Sequence, residues 1–168
     1  MRQRLIYLVK TYLLTILLFV IAKIAFMLLN HDGHSFTVKD MVDVIWHGLT
    51  LDLSTSLYLL IIPFLVTIVS IWRESKLLIK ILRFYYSIIA FALILAFVTD
   101  TSLYPLWGFK LDATCLQYLE TPAEAKASVS GLYMAIRIII LMIGTVLIYR
   151  LYKSIPYETK LPNHKSIA

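Results

Sequence analysis

Lys23, Asp52 and Arg137 are ionisable residues set inside stretches otherwise apolar enough to lie in a membrane. A charge near mid-membrane costs about 3 kcal/mol even on a lenient insertion scale, so such residues tend to pair or to line a site. Asp52 stands in "HGLTLDLSTSLYLL", residues 47 to 60, near the start of a long apolar run. At 1.5 Å per residue, Lys23 falls roughly 9 Å below the outer end of its span, Asp52 roughly 9 Å below Trp46 and Arg137 roughly 8 Å below the outer end of its own. The common depth, in the outer third of the bilayer, predicts that Asp52 is held by Lys23, by Arg137 or by both. The competing arrangement has the long stems of Lys23 and Arg137 reaching the outer headgroups while Asp52 bonds locally. Two cations against one carboxylate would leave a net positive, outward-open spot that suits an anionic phospholipid headgroup.

Other residue types offer less. Ser54, Thr55, Ser56 and Tyr58 follow Asp52 and either line the same face or bond back to the preceding turn. Pro63 removes the helical hydrogen bond to the carbonyl of Leu59 and is expected to kink its span. His31 and His34 have a spacing that metal sites use, but with His47 they lie outside the spans and no further ligand is evident, so no metal is expected. No histidine lies deep in a span, which disfavours a bis-histidine haem. The single cysteine, Cys115, excludes an internal disulfide. Ser/His/Asp triads, P-loops and Rossmann glycines are absent, and no catalytic constellation is recognisable.

The elements that must position these residues are membrane spans. Of the 168 residues 60% are hydrophobic and 15% charged, against roughly 45–50% apolar for a soluble domain. Four segments approach the ~20 apolar residues that cross a bilayer: about 5–29, 49–71, 77–98 and 132–152. The fold class expected is all-α, a polytopic bundle of four transmembrane helices with short outer-surface helices. Residues 1–152 form the transmembrane domain and 153–168 a cytoplasmic tail or linker. The net charge of +6 gathers at span ends without a basic stripe, so nucleic acid is excluded as a partner. Arg2 and Arg4, then Arg73, Lys76, Lys80 and Arg83, then Arg150, Lys153, Lys160 and Lys165 fall on one side, which predicts cytoplasmic termini and outward-facing residues 30–47 and 99–131. The N-terminal apolar run is too long for a signal peptide and reads as a retained signal anchor.

Both outward segments carry helix signals. Ser35 is an N-cap candidate for a surface helix on which Val38, Met41, Val42, Ile45 and Trp46 recur at helical spacing. In "ETPAEAKASVSG", Thr121, Pro122 and Glu124 make a capping-box pattern that predicts a helix over 122–130. Tyr104, Trp107 and Phe109 in "YPLWGFKLD" are expected to dock on the membrane surface or a neighbouring loop.

The pieces "HGLTLDLS" and "VTDTSLYPLWGFKLDATCLQYLETPAEAKAS", with the positions of the spans, resemble the N-terminal membrane region of bacterial lipoteichoic acid synthase-like proteins, the sulfatase-fold phosphoglycerol transferases of the alkaline phosphatase superfamily. The matching positions are Asp52, then Tyr104, Gly108, Phe109, Asp112, Pro122 and Glu124. The resemblance implies five spans followed by an extracytoplasmic domain, in which a threonine nucleophile held by a divalent metal such as manganese or zinc moves a phospholipid-derived headgroup. The sequence departs from that pattern after the fourth span. The expectation is therefore an excerpt or a truncated relative with no cofactor of its own and no catalytic residue.

Three functions compete. The first is the membrane anchor and lipid-facing module of a phosphoglycerol or phosphoethanolamine transferase-like enzyme, or of a sulfatase-fold hydrolase, in a bacterial cytoplasmic membrane. Its partners would be membrane lipids with anionic headgroups and its own extracytoplasmic catalytic domain. The second is a small transporter or channel with Lys23, Asp52 and Arg137 as its site, against which stands the lack of a polar path through the inner half. The third is a structural membrane subunit.

Overall fold

The computed structural model describes residues 2–30, 36–72, 75–108 and 130–157. Its four helices are α1 (Arg2–Leu29), α2 (Val38–Trp72), α3 (Lys76–Trp107) and α4 (Gly131–Ser154), and no strand occurs among the described residues. Each is long and apolar enough to cross a membrane. At 1.5 Å per residue they run from about 36 to about 52 Å, beyond the ~30 Å hydrocarbon core.

Two boundaries differ from those expected. Span two was expected to begin at 49, behind a separate surface helix, but α2 runs unbroken from Val38. Nothing between Trp46 and Leu51 removes a backbone donor, and a helical Gly48 costs only about 1 kcal/mol. The start is secured by Thr37, whose hydroxyl accepts from the Asp40 amide (3.3 Å) while the Asp40 carboxylate accepts from the Thr37 amide and hydroxyl (both 2.8 Å). That is the reciprocal logic of a capping box; the expected cap, Ser35, lies outside the described residues. Span three was expected to end at 98, yet α3 continues through Pro105 and stops at Gly108. Gly108 takes the left-handed conformation (φ 71°) and its amide donates to the Tyr104 carbonyl at 2.8 Å, as a glycine C-cap does. Asp100, Thr101 and Tyr104 are thus helical residues, not loop residues. The helix expected over 122–130 falls outside the described residues apart from Ser130, the N-cap of α4, whose hydroxyl accepts from the Tyr133 amide at 3.3 Å.

The helices alternate in direction. Arg4 donates to the Ser70 carbonyl at 3.0 Å and Lys23 meets Asp52, so α1 and α2 are antiparallel. Tyr86 stacks on Tyr152, Ile94 lies against Gly144 and Arg137 reaches Thr101, so α3 and α4 are antiparallel as well. α1 packs chiefly on α2 and α3 chiefly on α4, with thinner contact between the two pairs. Outward faces carry Leu13, Leu17, Ile21, Phe64, Phe84 and Ile139, all exposed, as helices solvated by lipid would.

Pro63 sits inside α2 without ending it. The carbonyl its missing amide would have satisfied belongs to Leu59, and the Tyr85 hydroxyl of α3 donates to that oxygen at 2.7 Å. A neighbouring helix thereby supplies the lost bond, one way in which spans tolerate proline.

Candidate functional site

The bundle has a Lys23 end, where α1 and α3 finish and α2 and α4 start, and a Tyr7 end, where α1 starts and α4 finishes. At the Lys23 end the ammonium of Lys23 lies 2.6 Å from Asp52 Oδ2, with side-chain exposures of 18% and 5%. This distance is that of a charge-assisted hydrogen bond. The local sequence makes room for it: Gly48, Asp52 and Ser56 fall at helical i, i+4, i+8 on one face of α2. A Cβ at Gly48 would stand 2.1 Å from Lys23 Nζ and 2.8 Å from Cε. The ammonium rests over a glycine backbone, where a Cβ would force the end of the Lys23 side chain to shift. Ser56, one turn further along, is buried and its hydroxyl has no partner among the described residues.

Arg137 takes no part in that pair. Its guanidinium donates to the Tyr133 hydroxyl (3.0 Å) and the Thr101 hydroxyl (3.5 Å), and lies 4.9 Å from the centroid of the Tyr133 ring. Of the arrangements expected from shared depth, Asp52 held by Lys23, by Arg137 or by both, the first is present, because α4 packs on α3 while Asp52 faces α1. Depth put the charges on one level; the lateral order of the helices decided which of them meet. Thr101 is buried and donates onward to the carbonyls of Phe97 and Val98.

A second carboxylate belongs to the same level. Asp100, expected in the loop, stands on α3 beside Thr101 and lines a groove with Lys23. Two cations, Lys23 and Arg137, are therefore accompanied by two carboxylates among the described residues, and the expected positive excess is absent from them. The groove holds about 450 Å³ between α1, α3 and α4. Lys23, Phe26 and Asp100 border one end, and Leu18, Leu93 and Ile148 the other.

Of the residues expected to dock the outer loop, Tyr104 packs edge-on against Phe26 of α1, with centroids 5.0 Å apart. Trp107 is the last residue of α3 and Gly108 its cap. Phe109, Asp112 and Glu124 lie outside the described residues.

The Tyr7 end holds a cluster that the sequence reading did not single out. Tyr7 and Tyr86 join their hydroxyls, Tyr86 stacks on Tyr152 at 4.7 Å and 4°, and Tyr157 meets Tyr7 edge-on at 4.9 Å. The Tyr152 and Thr15 hydroxyls are 2.9 Å apart, and Thr15 also donates to the Thr11 carbonyl at 2.9 Å. Tyr7, Thr11 and Thr15 recur every four residues, the signal that would have placed them on one buried face of α1.

No group of three or more His, Cys, Asp or Glu that could hold a metal ion occurs among the described residues. Comparison with protein-family models, curated proteins and solved structures finds no match.

Proposed function

We propose that the chain is the membrane-embedded, lipid-facing module of an envelope enzyme of the phosphoglycerol or phosphoethanolamine transferase type. In this reading it sits in a bacterial cytoplasmic membrane with both termini in the cytoplasm and the Lys23 end at the outer leaflet. The distribution of Lys and Arg supports that orientation. The observation that carries the reading is the gathering of Lys23, Asp52 and Asp100 at one end of the bundle, above an apolar groove, the division of polarity that a phospholipid itself has. Chemistry would be performed by an extracytoplasmic domain whose metal and nucleophile are not residues of these helices. The test is transfer: membranes holding the full gene product are given phospholipid labelled in its headgroup. Headgroup transfer with release of diacylglycerol is the expected result. Absence of transfer at normal membrane levels of the protein would remove the reading.

A transporter is the competing reading, and the buried hydroxyls of Thr11, Thr15, Tyr86 and Tyr152 favour it by bringing polar groups to the Tyr7 end. Leu18, Leu93 and Ile148 stand between those hydroxyls and the Lys23 level, which breaks the polar lining a solute would need. Solute flux in proteoliposomes made with the purified chain would decide for the transporter.

A further inference from the structure

We propose that the outer face of the α3–α4 pair, at the Tyr7 end, binds a phospholipid that carries two phosphates joined through a short bridge, a diphosphatidylglycerol. The inference concerns the end opposite Lys23 and does not rest on headgroup transfer.

Charge is divided along the bundle. The described carboxylates, Asp40, Asp43, Asp52 and Asp100, all belong to the Lys23 end. Arg83 and Lys80 of α3 and Lys153 of α4 belong to the Tyr7 end, are exposed and form no ion pair among the described residues.

The helical register puts these three cations on one face. The stacked rings of Tyr86 and Tyr152 mark where α3 and α4 touch. Arg83 and Lys80 precede Tyr86 by three and six residues, which turns them from it by about 60° and 120°, and Lys153, next after Tyr152, is turned about 100° in the same sense. In antiparallel helices, turns of the same sense lead to the same side of the pair. Leu78 and Leu82 are turned about 80° and 40° in the opposite sense and are buried, and Tyr85, turned that way too, donates to Leu59 of α2. α1 and α2 therefore cover the other face, and the cationic one looks out of the bundle.

Its depth is that of lipid phosphates. α4 measures roughly 36 Å, and Tyr152 stands near its end, at the edge of the ~30 Å hydrocarbon core. Lys153 and Arg83 then lie about 2 and 5 Å beyond that edge, within a headgroup layer of about 5–7 Å, and Lys80 borders the layer from outside. On the hydrocarbon side the same face carries Phe91, Met142 and Val146, all exposed, a bed for acyl chains.

Charge and spacing choose the head. Two cations stand on α3 and one on α4, and packed helix axes lie about 8–10 Å apart. A head with one phosphate brings a single negative charge against the three. Two phosphates held by a three-carbon bridge bring one to each helix, and the second arrives without the cost of a separate association. Basic residues between spans, near one membrane face, suit such a head.

The experiment uses the purified full chain in detergent, offered diphosphatidylglycerol and phosphatidylglycerol at equal phosphate, and reads the retained lipid by native mass spectrometry. Retention should favour the two-phosphate lipid roughly five-fold, the gain from one further basic residue beside lipid charge. Arg83→Gln and Lys153→Gln should each bring the ratio close to parity while circular dichroism shows the chain folded; the tails are the same in variant and parent, so a changed ratio reports the heads. Arg83→Lys should keep the preference, as should Arg2→Gln, which removes the same charge from α1. A soluble glutamate-rich peptide, with charge but no chains, should not displace the lipid. Equal retention in the parent chain, an unchanged ratio in both Arg83→Gln and Lys153→Gln, an equal loss in Arg2→Gln, or displacement by the peptide would each overturn the inference.

Discussion

The Lys23 end and the Tyr7 end both bury polar side chains among apolar helices, but they do it with different chemistry. At the Lys23 end Asp52 is satisfied by a lysine across the α1–α2 contact. At the Tyr7 end the buried groups are hydroxyls shared between α1, α3 and α4. A hydroxyl left alone can turn toward a nearby carbonyl; a carboxylate left beside apolar side chains has no such recourse. The Asp52 carboxylate therefore depends on Lys23, whereas the Thr15 hydroxyl at the second end has both the Thr11 carbonyl and the Tyr152 hydroxyl within reach. On the lipid-facing reading proposed above, a headgroup site would belong at the first, where charge is already held in place.

The largest effect should come from breaking the pair. Asp52→Asn leaves the Lys23 ammonium without its carboxylate, and removal of one partner of a buried pair costs roughly 3–5 kcal/mol. Replacing Asp52 and Lys23 together by neutral residues of similar size should restore much of the stability, giving strong coupling in a double-mutant cycle on thermal unfolding in detergent. The cycle of Asp52 with Arg137 should show coupling below about 0.5 kcal/mol. Strong coupling to Arg137 would mean that the charges act as one cluster after all.

Next is Gly48→Ala. The added methyl must displace the end of the Lys23 side chain. Although that chain is flexible, its tip is fixed by Asp52, so the expected loss is about 1–3 kcal/mol, the range for overpacking. In a Lys23→Met, Asp52→Leu background the same change should cost less. An equal cost in both backgrounds would show that the glycine serves the helix backbone and not the ion pair.

Much of this contrast was legible in the residues. The four spans follow from apolar length, and Lys23 and Asp52 stand out from them because charge in a span is costly. Which cation meets Asp52 was not legible, because depth is set along one chain and adjacency by the packing of four. Asp100 was placed in a loop because "VTDTS" ends the apolar run; hydropathy falls there while the backbone stays helical to Gly108. The Tyr7, Thr11, Thr15 spacing was visible, but hydroxyls at helical spacing do not announce a partner when each can bond its own preceding turn.

Tyr85→Phe tests a hydroxyl outside the charged pair. It removes the donor to the Leu59 carbonyl that Pro63 leaves unmatched, and an unsatisfied buried acceptor costs about 1–3 kcal/mol. Placing Ala at Pro63 restores the helical amide, so Pro63→Ala should rescue most of the loss in Tyr85→Phe. Two additive losses would show that the tyrosine is needed for packing alone.

The smallest effect expected is also the most specific to the Tyr7 end. Thr15 has one hydroxyl hydrogen and directs it to the Thr11 carbonyl, so in the 2.9 Å contact with Tyr152 the tyrosine is the donor. Tyr152→Phe keeps the ring stacked on Tyr86 and takes away only a bond that Thr15 was accepting. The Thr15 hydrogen stays where it was, and the loss should be near the ~0.6 kcal/mol average for hydrogen bonds between membrane helices. Thr15→Val is the harsher of the two changes, because it strands the buried Tyr152 hydroxyl. Thermal unfolding of the two single variants and the double variant should then rank Thr15→Val as the least stable, with the added Tyr152→Phe recovering part of its loss. The opposite ranking would mean that Thr15 is the donor, and the Thr11 carbonyl would have to be satisfied within its own helix.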